Sequence, residues 1–393
     1  MRDVEKKLTP ARILLAVLAA AVTLGLFALF VRMLPVIGTE VGAAAGEQGR
    51  TRSALAFSDA YARRVNNLSA AAMEGIIPIP KSYLLPEDTV IAPVPDPANF
   101  GESAKAADTA AVLAAAAELL DGQETIWQPD TEIRPDSTVR WYLDDTILSL
   151  TWKQCIDWAV YTFTEVKVAH PSQFRRYFAD NTFASPVQYF PTELAQTVNA
   201  VSAMSADFYK FRRYGIVVYQ RQLCRAEGRW LDSCFIDTNG DLNFVRAGAL
   251  TEEEEIQRYI EENDILFSLS FGPILIEDGI NVTPENYLVG EINDYYARAA
   301  ICQLGPCHYL LVTVNHEKFY GESAATTGML AANLERMGVW KAYTLDGGQT
   351  AAMIVNGELI NSVEFGNQRA VSDIIYFATA IPEPAGGGEA AYG

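Results

Sequence analysis

Three stretches of this chain set charged side chains where the backbone can offer them to a ligand. Leu345-Asp346-Gly347-Gly348 follows the strand-like Ala342-Tyr343-Thr344. Two glycines behind a carboxylate let main chain pass close to a ligand and expose N–H groups. Such a turn can hold an aspartate against a sugar or a cation; a Gly-rich junction between strands is the plainer alternative. Ala206-Asp207-Phe208-Tyr209 embeds a carboxylate in an aromatic run just ahead of Lys210, Arg212 and Arg213. Carboxylate beside aromatic suits a sugar site, where ring faces cover apolar sugar faces; a strand edge with one exposed aspartate fits equally. Arg298 enters the apolar pattern Ala297-Arg298-Ala299-Ala300-Ile301. A guanidinium there needs an anionic partner, either a protein carboxylate or a substrate phosphate.

Other candidates carry less chemistry. Asp237-Thr238-Asn239-Gly240-Asp241 hints at a calcium loop, but the glycine that an EF-hand needs at its sixth position is Leu242 here. A plain turn is expected. His308, ahead of the apolar run Tyr309 to Val314, reads as a satisfied structural histidine. No G-x-S-x-G, P-loop, dinucleotide fingerprint or H-E-x-x-H occurs. Thirty basic against 49 acidic residues leave a net charge of −19. That surface repels phosphate backbones, so nucleic acid is excluded as a partner. It is compatible with bound divalent cations, although no residue is assigned to a metal and no cofactor is implied.

The elements that must position these residues are mostly strands. Thr146 to Trp152, Ala159 to Val168, Gly215 to Gln220, Leu266 to Phe271 and Tyr309 to Val314 are β-branched and aromatic runs between turn signals. Asn239-Gly240 and Asn356-Gly357 each read as a two-residue hairpin turn. Thr251 with Glu254 predicts a capping box, with Leu250 as its staple and the acidic run Glu252 to Glu255 at a helix start. Thr326 to Met337 predicts a second helix, ended by Gly338. Many strands with a few segregated helices argue an α+β fold with mixed or antiparallel sheets.

The N-terminal part differs in texture. Ile13 to Val31 holds nineteen residues without a charge, enough for about 28 Å of helix, close to a bilayer's hydrocarbon core. Arg2, Lys6, Lys7 and Arg12 precede it, so residues 1–12 are expected in the cytoplasm, 13–38 as a transmembrane anchor and the rest outside the cell membrane. A cleaved signal peptide, with Ala43-Ala44-Ala45 as its site, is the alternative. Residues 39–137 read as an Ala/Pro-rich stalk, with six prolines between Pro78 and Pro97 and a helix over Ala106 to Leu120. The main domain is expected over 138–380 and a frayed tail over 381–393. The cysteines would lie in an oxidising space, where Cys224 with Cys234, or Cys302 with Cys307, could close a loop; unpaired thiols fit the odd count of five as well.

Taken in order, these pieces resemble the phosphodiester glycosidase family. The likeness rests on Ser202 to Tyr209, Gly215-Ile216-Val217, Phe271-Gly272-Pro273-Ile274-Leu275, Arg298-Ala299-Ala300-Ile301, Leu310 to Val314, Gly338 through Gly348, Val355-Asn356-Gly357, Asn361 and Arg369. It covers about residues 140 to 378. The family includes an enzyme that removes N-acetylglucosamine from phosphodiesters and bacterial proteins linked to exopolysaccharide. The resemblance implies hydrolysis of a sugar-1-phosphodiester in an envelope or exopolysaccharide glycan. It implies Arg298 on the phosphate, Asp346 as the central carboxylate and Asp207 as a second carboxylate near the sugar. Gly347, Gly348, Tyr209, Gln349, Asn315 and Arg369 would line the substrate. The chain departs from the family pattern at Ser205-Ala206, Cys302, Asn315-His316 and Gln349-Thr350-Ala351, and around Glu322 and Ser323. A catalytically inactive glycan-binding or scaffolding domain of the same fold is therefore the alternative.

Overall fold

The computed structural model describes residues 83–86, 88–315 and 324–380. The apolar run 13–31, its flanks and the 381–393 tail lie outside the described residues. Among those described, no helix is long and apolar enough to cross a membrane.

Among the described residues nineteen strands form four sheets, and every pairing between these strands is antiparallel. In chain order they are β1 (Phe100–Ser103), β2 (Val139–Leu143), β3 (Ile147–Ile156), β4 (Ala159–Val168), β5 (Phe174–Phe178), β6 (Ser202–Ser205), β7 (Gly215–Tyr219), β8 (Gln222–Glu227), β9 (Ser233–Asp237) and β10 (Leu242–Val245). Then come β11 (Ile265–Leu269), β12 (Ile274–Glu277), β13 (Ile280–Asn281), β14 (Arg298–Gly305), β15 (His308–Val314), β16 (Lys341–Leu345), β17 (Met353–Val355), β18 (Glu358–Leu359) and β19 (Asp373–Phe377). The largest sheet runs β1-β2-β3-β4-β15-β14-β16-β12-β13, and a five-stranded sheet runs β18-β17-β6-β19-β5. β10-β9-β11 and β7-β8 make two smaller sheets. The α+β expectation holds.

Alternation along the strands explains the layering. On β14, Ala299 and Ile301 face one apolar cluster with Leu311, Tyr343, Phe174 and Phe377, between the two large sheets. Ala300 and Cys302 face a second cluster with Leu330 and Leu334 of the helix Thr327–Arg336. The helix Pro191–Thr197 covers the outer face of the five-stranded sheet through Leu194 and Ala195. The order is helix, sheet, sheet, helix. Each buried leucine here contributes about 2 kcal/mol of burial free energy.

Several expectations change in detail. The expected stalk is part of this body over much of its described length. β1 pairs with β2, and Phe100 packs on Tyr142 with ring centroids 4.5 Å apart. The Glu165 carboxylate accepts from Ile126 N at 2.8 Å and Trp127 N at 3.1 Å while meeting His308 Nε2 at 2.8 Å. Those bonds clamp the 97–127 segment to the large sheet, which proline content alone does not reveal. The expected helix over Ala106 to Leu120 is present as Ala106–Ala115 and Ala117–Leu120.

Asn356-Gly357 has positive φ at both residues, 51° and 72°, as a two-residue turn requires. Asn239-Gly240 does not. Leu242 pairs with Ile236, which leaves a longer loop in which Gly240 alone has positive φ, and Asp237 Oδ1 accepts from Asn239 N and Asp241 N. The capping box at Thr251 is absent. The helix Glu253–Glu262 starts after Glu252, so the Thr251 hydroxyl contacts the Glu252 carboxylate instead of an orphan N–H. Glu253 to Glu255 do fill its first turn. Thr326 caps the helix Thr327–Arg336 through Met329 N, and Gly338 ends it at φ 72°. Cys224, Cys234, Cys302 and Cys307 are free thiols. Cys302 and Cys307 belong to clusters on opposite faces of the large sheet, so their side chains cannot meet.

Candidate functional site

β14 and β16 are neighbours, and Ala299 lies opposite Leu345. That register brings Arg298, at the start of β14, beside Asp346, the residue after β16. Both line one cavity of about 590 Å³ with Gly347, Gly348, Gln349 and Arg369. Six of the residues singled out from sequence are thus brought together.

Asp346 sits at the base of this cavity with 14% of its side chain exposed. Arg369 Nη2 lies 3.3 Å from its Oδ2. Burial pushes the carboxyl up to about 6, while Thr350, Arg369 and Arg212 pull in the opposite direction. The two glycines have steric work here. A Cβ on Gly347 would come within 2.5 Å of the Ala297 carbonyl oxygen. Gly348 has φ 63° and donates its N–H to that same carbonyl at 2.8 Å. The turn therefore seats against β14 only with glycine, and this fixes Asp346 beside Arg298.

Arg298 is 4% exposed and is occupied by its own chain. Its guanidinium donates to the carbonyls of Ala325 (2.9 Å), Gly290 (2.6 Å), Glu291 (2.9 Å) and Asp294 (2.5 Å). Burial lowers its pKa to about 10, so it remains protonated at neutral pH. The expected anionic partner is replaced by four main-chain oxygens, which tie the 290–294 loop to the sheet. This corrects the assignment of Arg298 to a phosphate: its donors fix one wall of the cavity.

Asp207 is also not a carboxylate facing the cavity. It is 4% exposed, accepts from Ser270 N at 2.9 Å and Ser270 Oγ at 3.0 Å, and pairs with Arg212 Nη2 at 2.5 Å. Arg176 Nη2 lies 3.6 Å away and reaches Asp373 at 2.6 Å. Burial raises the Asp207 carboxyl, but Arg212, Arg176 and the Ser270 bonds outweigh it and hold it below the usual carboxylate range. Tyr209 is 2% exposed and stacks on Phe178 at 4.6 Å, away from the cavity. Asn315 is 1% exposed; its Oδ1 accepts from Thr162 Oγ1 at 3.3 Å. Neither lines the cavity, because the aromatic cluster and β4 take up their side chains. His316 lies outside the described residues.

Two residues that do line it had no role from sequence. Arg212 read only as part of a basic stretch. Its side chain is 7% exposed, it is held by Asp207, and it lies over the Phe271 ring at 4.8 Å. Its Nε and Nη1 are buried without a hydrogen-bond partner. Buried guanidinium N–H groups beside an open cavity favour an anion there. Glu364 comes from the loop before β19, and its Oε2 lies 3.0 Å from where a Gly348 Cβ would be. No spacing in the sequence marks it. Among the described residues no cluster of three His, Cys, Asp or Glu is arranged to hold a metal ion. The cavity lining therefore brings together the carboxylates of Asp346 and Glu364 with three guanidinium groups, of which Arg298 is taken up by carbonyls and Arg212 has unpartnered donors.

Residues 196–378 match the family model described as phosphodiester glycosidase. The likeness read from the sequence is shown over that span, which contains every candidate site residue. No curated protein matches the chain. Among solved structures it is similar to the zebrafish N-acetylglucosamine-1-phosphodiester alpha-N-acetylglucosaminidase catalytic domain auto-inhibited by pro-peptide, at 16% identity over 66% of this chain and 92% of that one, with a TM-score of 0.47. It is also similar to a hypothetical protein from Synechocystis, at 14% identity over 63% of this chain, with a TM-score of 0.43. The alignment spans 64% of the length of the Synechocystis protein.

Proposed function

We propose that this protein hydrolyses sugar-1-phosphodiester bonds, with Asp346 as general base and with Arg212 and Arg369 on the phosphate. The observation that carries this reading is Arg212. Arg212, which has buried, unpartnered N–H groups, lines the same cavity as a carboxylate whose pKa is raised to about 6. A phosphodiester supplies the negative charge those donors lack, and its anomeric carbon is the centre Asp346 serves.

In the proposed reaction the Asp346 carboxylate takes a proton from water as its oxygen bonds to the anomeric carbon. The bond from that carbon to the phosphate oxygen breaks, and its electron pair leaves with the phosphomonoester. Phosphate is a good leaving group, so less protonation is needed than for an ordinary glycoside, where two carboxylates share the work. The guanidinium groups stabilise charge as it develops on the departing oxygen. The membrane is the proposed setting: the 13–31 run anchors the chain, and an envelope or exopolysaccharide glycan outside the membrane is the substrate.

The second reading is a catalytically inactive glycan-binding domain. The Asp346–Arg369 ion pair favours it, since an arginine bound to the base competes with water for that carboxylate. So does the departure at Gln349, which lines the cavity. Incubating the protein with a UDP-sugar or a sugar-1-phosphate diester separates the two. Release of free sugar supports the hydrolase; saturable binding without product supports the binding domain.

A further inference from the structure

We infer that Tyr214 and Trp230 form a sugar-stacking shelf just outside the cavity, so that the preferred substrate is a phosphodiester carried on an oligosaccharide and not on a lone sugar. The inference deepens the hydrolase reading and rests on it for the word substrate; the shelf itself rests on geometry. Tyr214 lines the cavity and is 42% exposed. Trp230 lies beyond it, 51% exposed, with ring centroids 6.5 Å apart and planes at 65°. The Trp230 ring thus meets, edge to face, the ring that lines the cavity.

Other aromatic rings near the cavity sit in different surroundings, and Phe365, 68% exposed, also lines it. Phe208 and Phe211 also stack near the mouth, 4.6 Å apart, but Arg369 lies over both rings. Trp158, 81% exposed, stands at the β3–β4 turn and serves as the exposed-indole control. Trp230 has a fixed base two residues on. Asp232 receives bonds from Ala247 N at 3.0 Å and Ile274 N at 3.2 Å, donates its N–H to Tyr287 Oη at 2.7 Å, and accepts Tyr343 Oη at 2.6 Å on its carbonyl. An exposed indole on an anchored loop is preorganised, so a ligand gains contact area with little ordering cost. The occupant is a glycan. The shelf is aromatic, and flat rings match the apolar faces of sugars, whereas a lipid chain is better served by branched aliphatic residues.

The test uses the full chain. Neutral tetrasaccharides (cello-, malto- and chitotetraose) are titrated against tryptophan fluorescence in wild type, Trp230→Ala, Trp230→Phe and the control Trp158→Ala. The expected result is saturable binding of at least one tetrasaccharide, about tenfold weaker in Trp230→Ala, as loss of a stacking contact implies, and largely kept in Trp230→Phe and Trp158→Ala. This readout carries no phosphodiester, so it stands or falls apart from the hydrolase reading. Where turnover is present, Trp230→Ala should raise KM about tenfold for a phosphodiester on an oligosaccharide and leave a UDP-sugar unchanged. Absence of binding by all three tetrasaccharides, equal binding by wild type and Trp230→Ala, or Trp230-dependent binding to phosphatidylcholine vesicles in their place overturns the inference.

Discussion

Two of the three arginines that line the cavity do opposite things. Arg298 gives its donors to four carbonyls and so defines the shape of one wall. Arg212 is fixed by a single carboxylate, Asp207, and keeps Nε and Nη1 unpartnered. Residue type is the same; the difference is what the neighbouring backbone offers. A guanidinium surrounded by main-chain oxygens is structural, whereas one anchored at a single edge retains capacity for a ligand. The aspartates differ in the same way. Asp207 is saturated by two arginines and Ser270 and stays ionised, while Asp346 has the long Arg369 contact and a raised pKa.

The largest effect is expected at Asp346. Asp346→Asn keeps the side-chain volume and removes the base, so turnover should fall by about 10³-fold, within the range for general-base loss. The arginine contrast is sharpened next. Arg298→Ala strands four carbonyls and should destabilise the fold by about 3 kcal/mol in urea denaturation, whatever it does to activity. Arg212→Lys retains a charge for Asp207 but loses the planar fork. It should lower kcat/KM about 10²-fold, with a stability change of about 1 kcal/mol at most. If Arg212→Lys proves the less stable variant and Arg298→Ala the less active, the two roles are reversed.

A smaller effect concerns pH. With the Asp346 carboxyl raised to about 6, the base is ionised above that value, and kcat/KM should fall tenfold per unit as pH drops below it. Stability runs the other way. A carboxyl whose pKa is raised on folding favours the native state fully below its unfolded value near 4, and that contribution is lost as pH rises through about 6. Denaturation of wild type against Asp346→Asn between pH 4 and 7 should show this slope in wild type alone.

How legible this was in the sequence follows from how local each feature is. β4 spans the expected residues 159–168 to the residue, because seven of its ten positions are β-branched or aromatic. Asn356-Gly357 and the Thr326–Gly338 helix were readable because a turn or a cap is written in adjacent residues. β1 was not: Phe100-Gly101-Glu102-Ser103 sits among prolines and becomes a strand only through β2, about forty residues on. The corner made by Asp346, Gly347 and Gly348 was legible from its glycines. Arg298 was found as a buried arginine, but its partners are carbonyls, which have no sequence signature. Arg212 was hidden in a basic run, since its burial depends on Ser270 and Phe271, nearly sixty residues away. Glu364 and the Tyr214–Trp230 pair arise only from the meeting of loops.

The most direct test follows the oxygen of water. A sugar-1-phosphate diester is hydrolysed by the full chain in ¹⁸O-enriched water, and both products are weighed by mass spectrometry. Attack at the anomeric carbon predicts the label in the released sugar and none in the phosphomonoester, with the reaction lost in Asp346→Asn. Label in the phosphate, or turnover that survives Asp346→Asn, would contradict Asp346 as the base of a phosphodiester glycosidase.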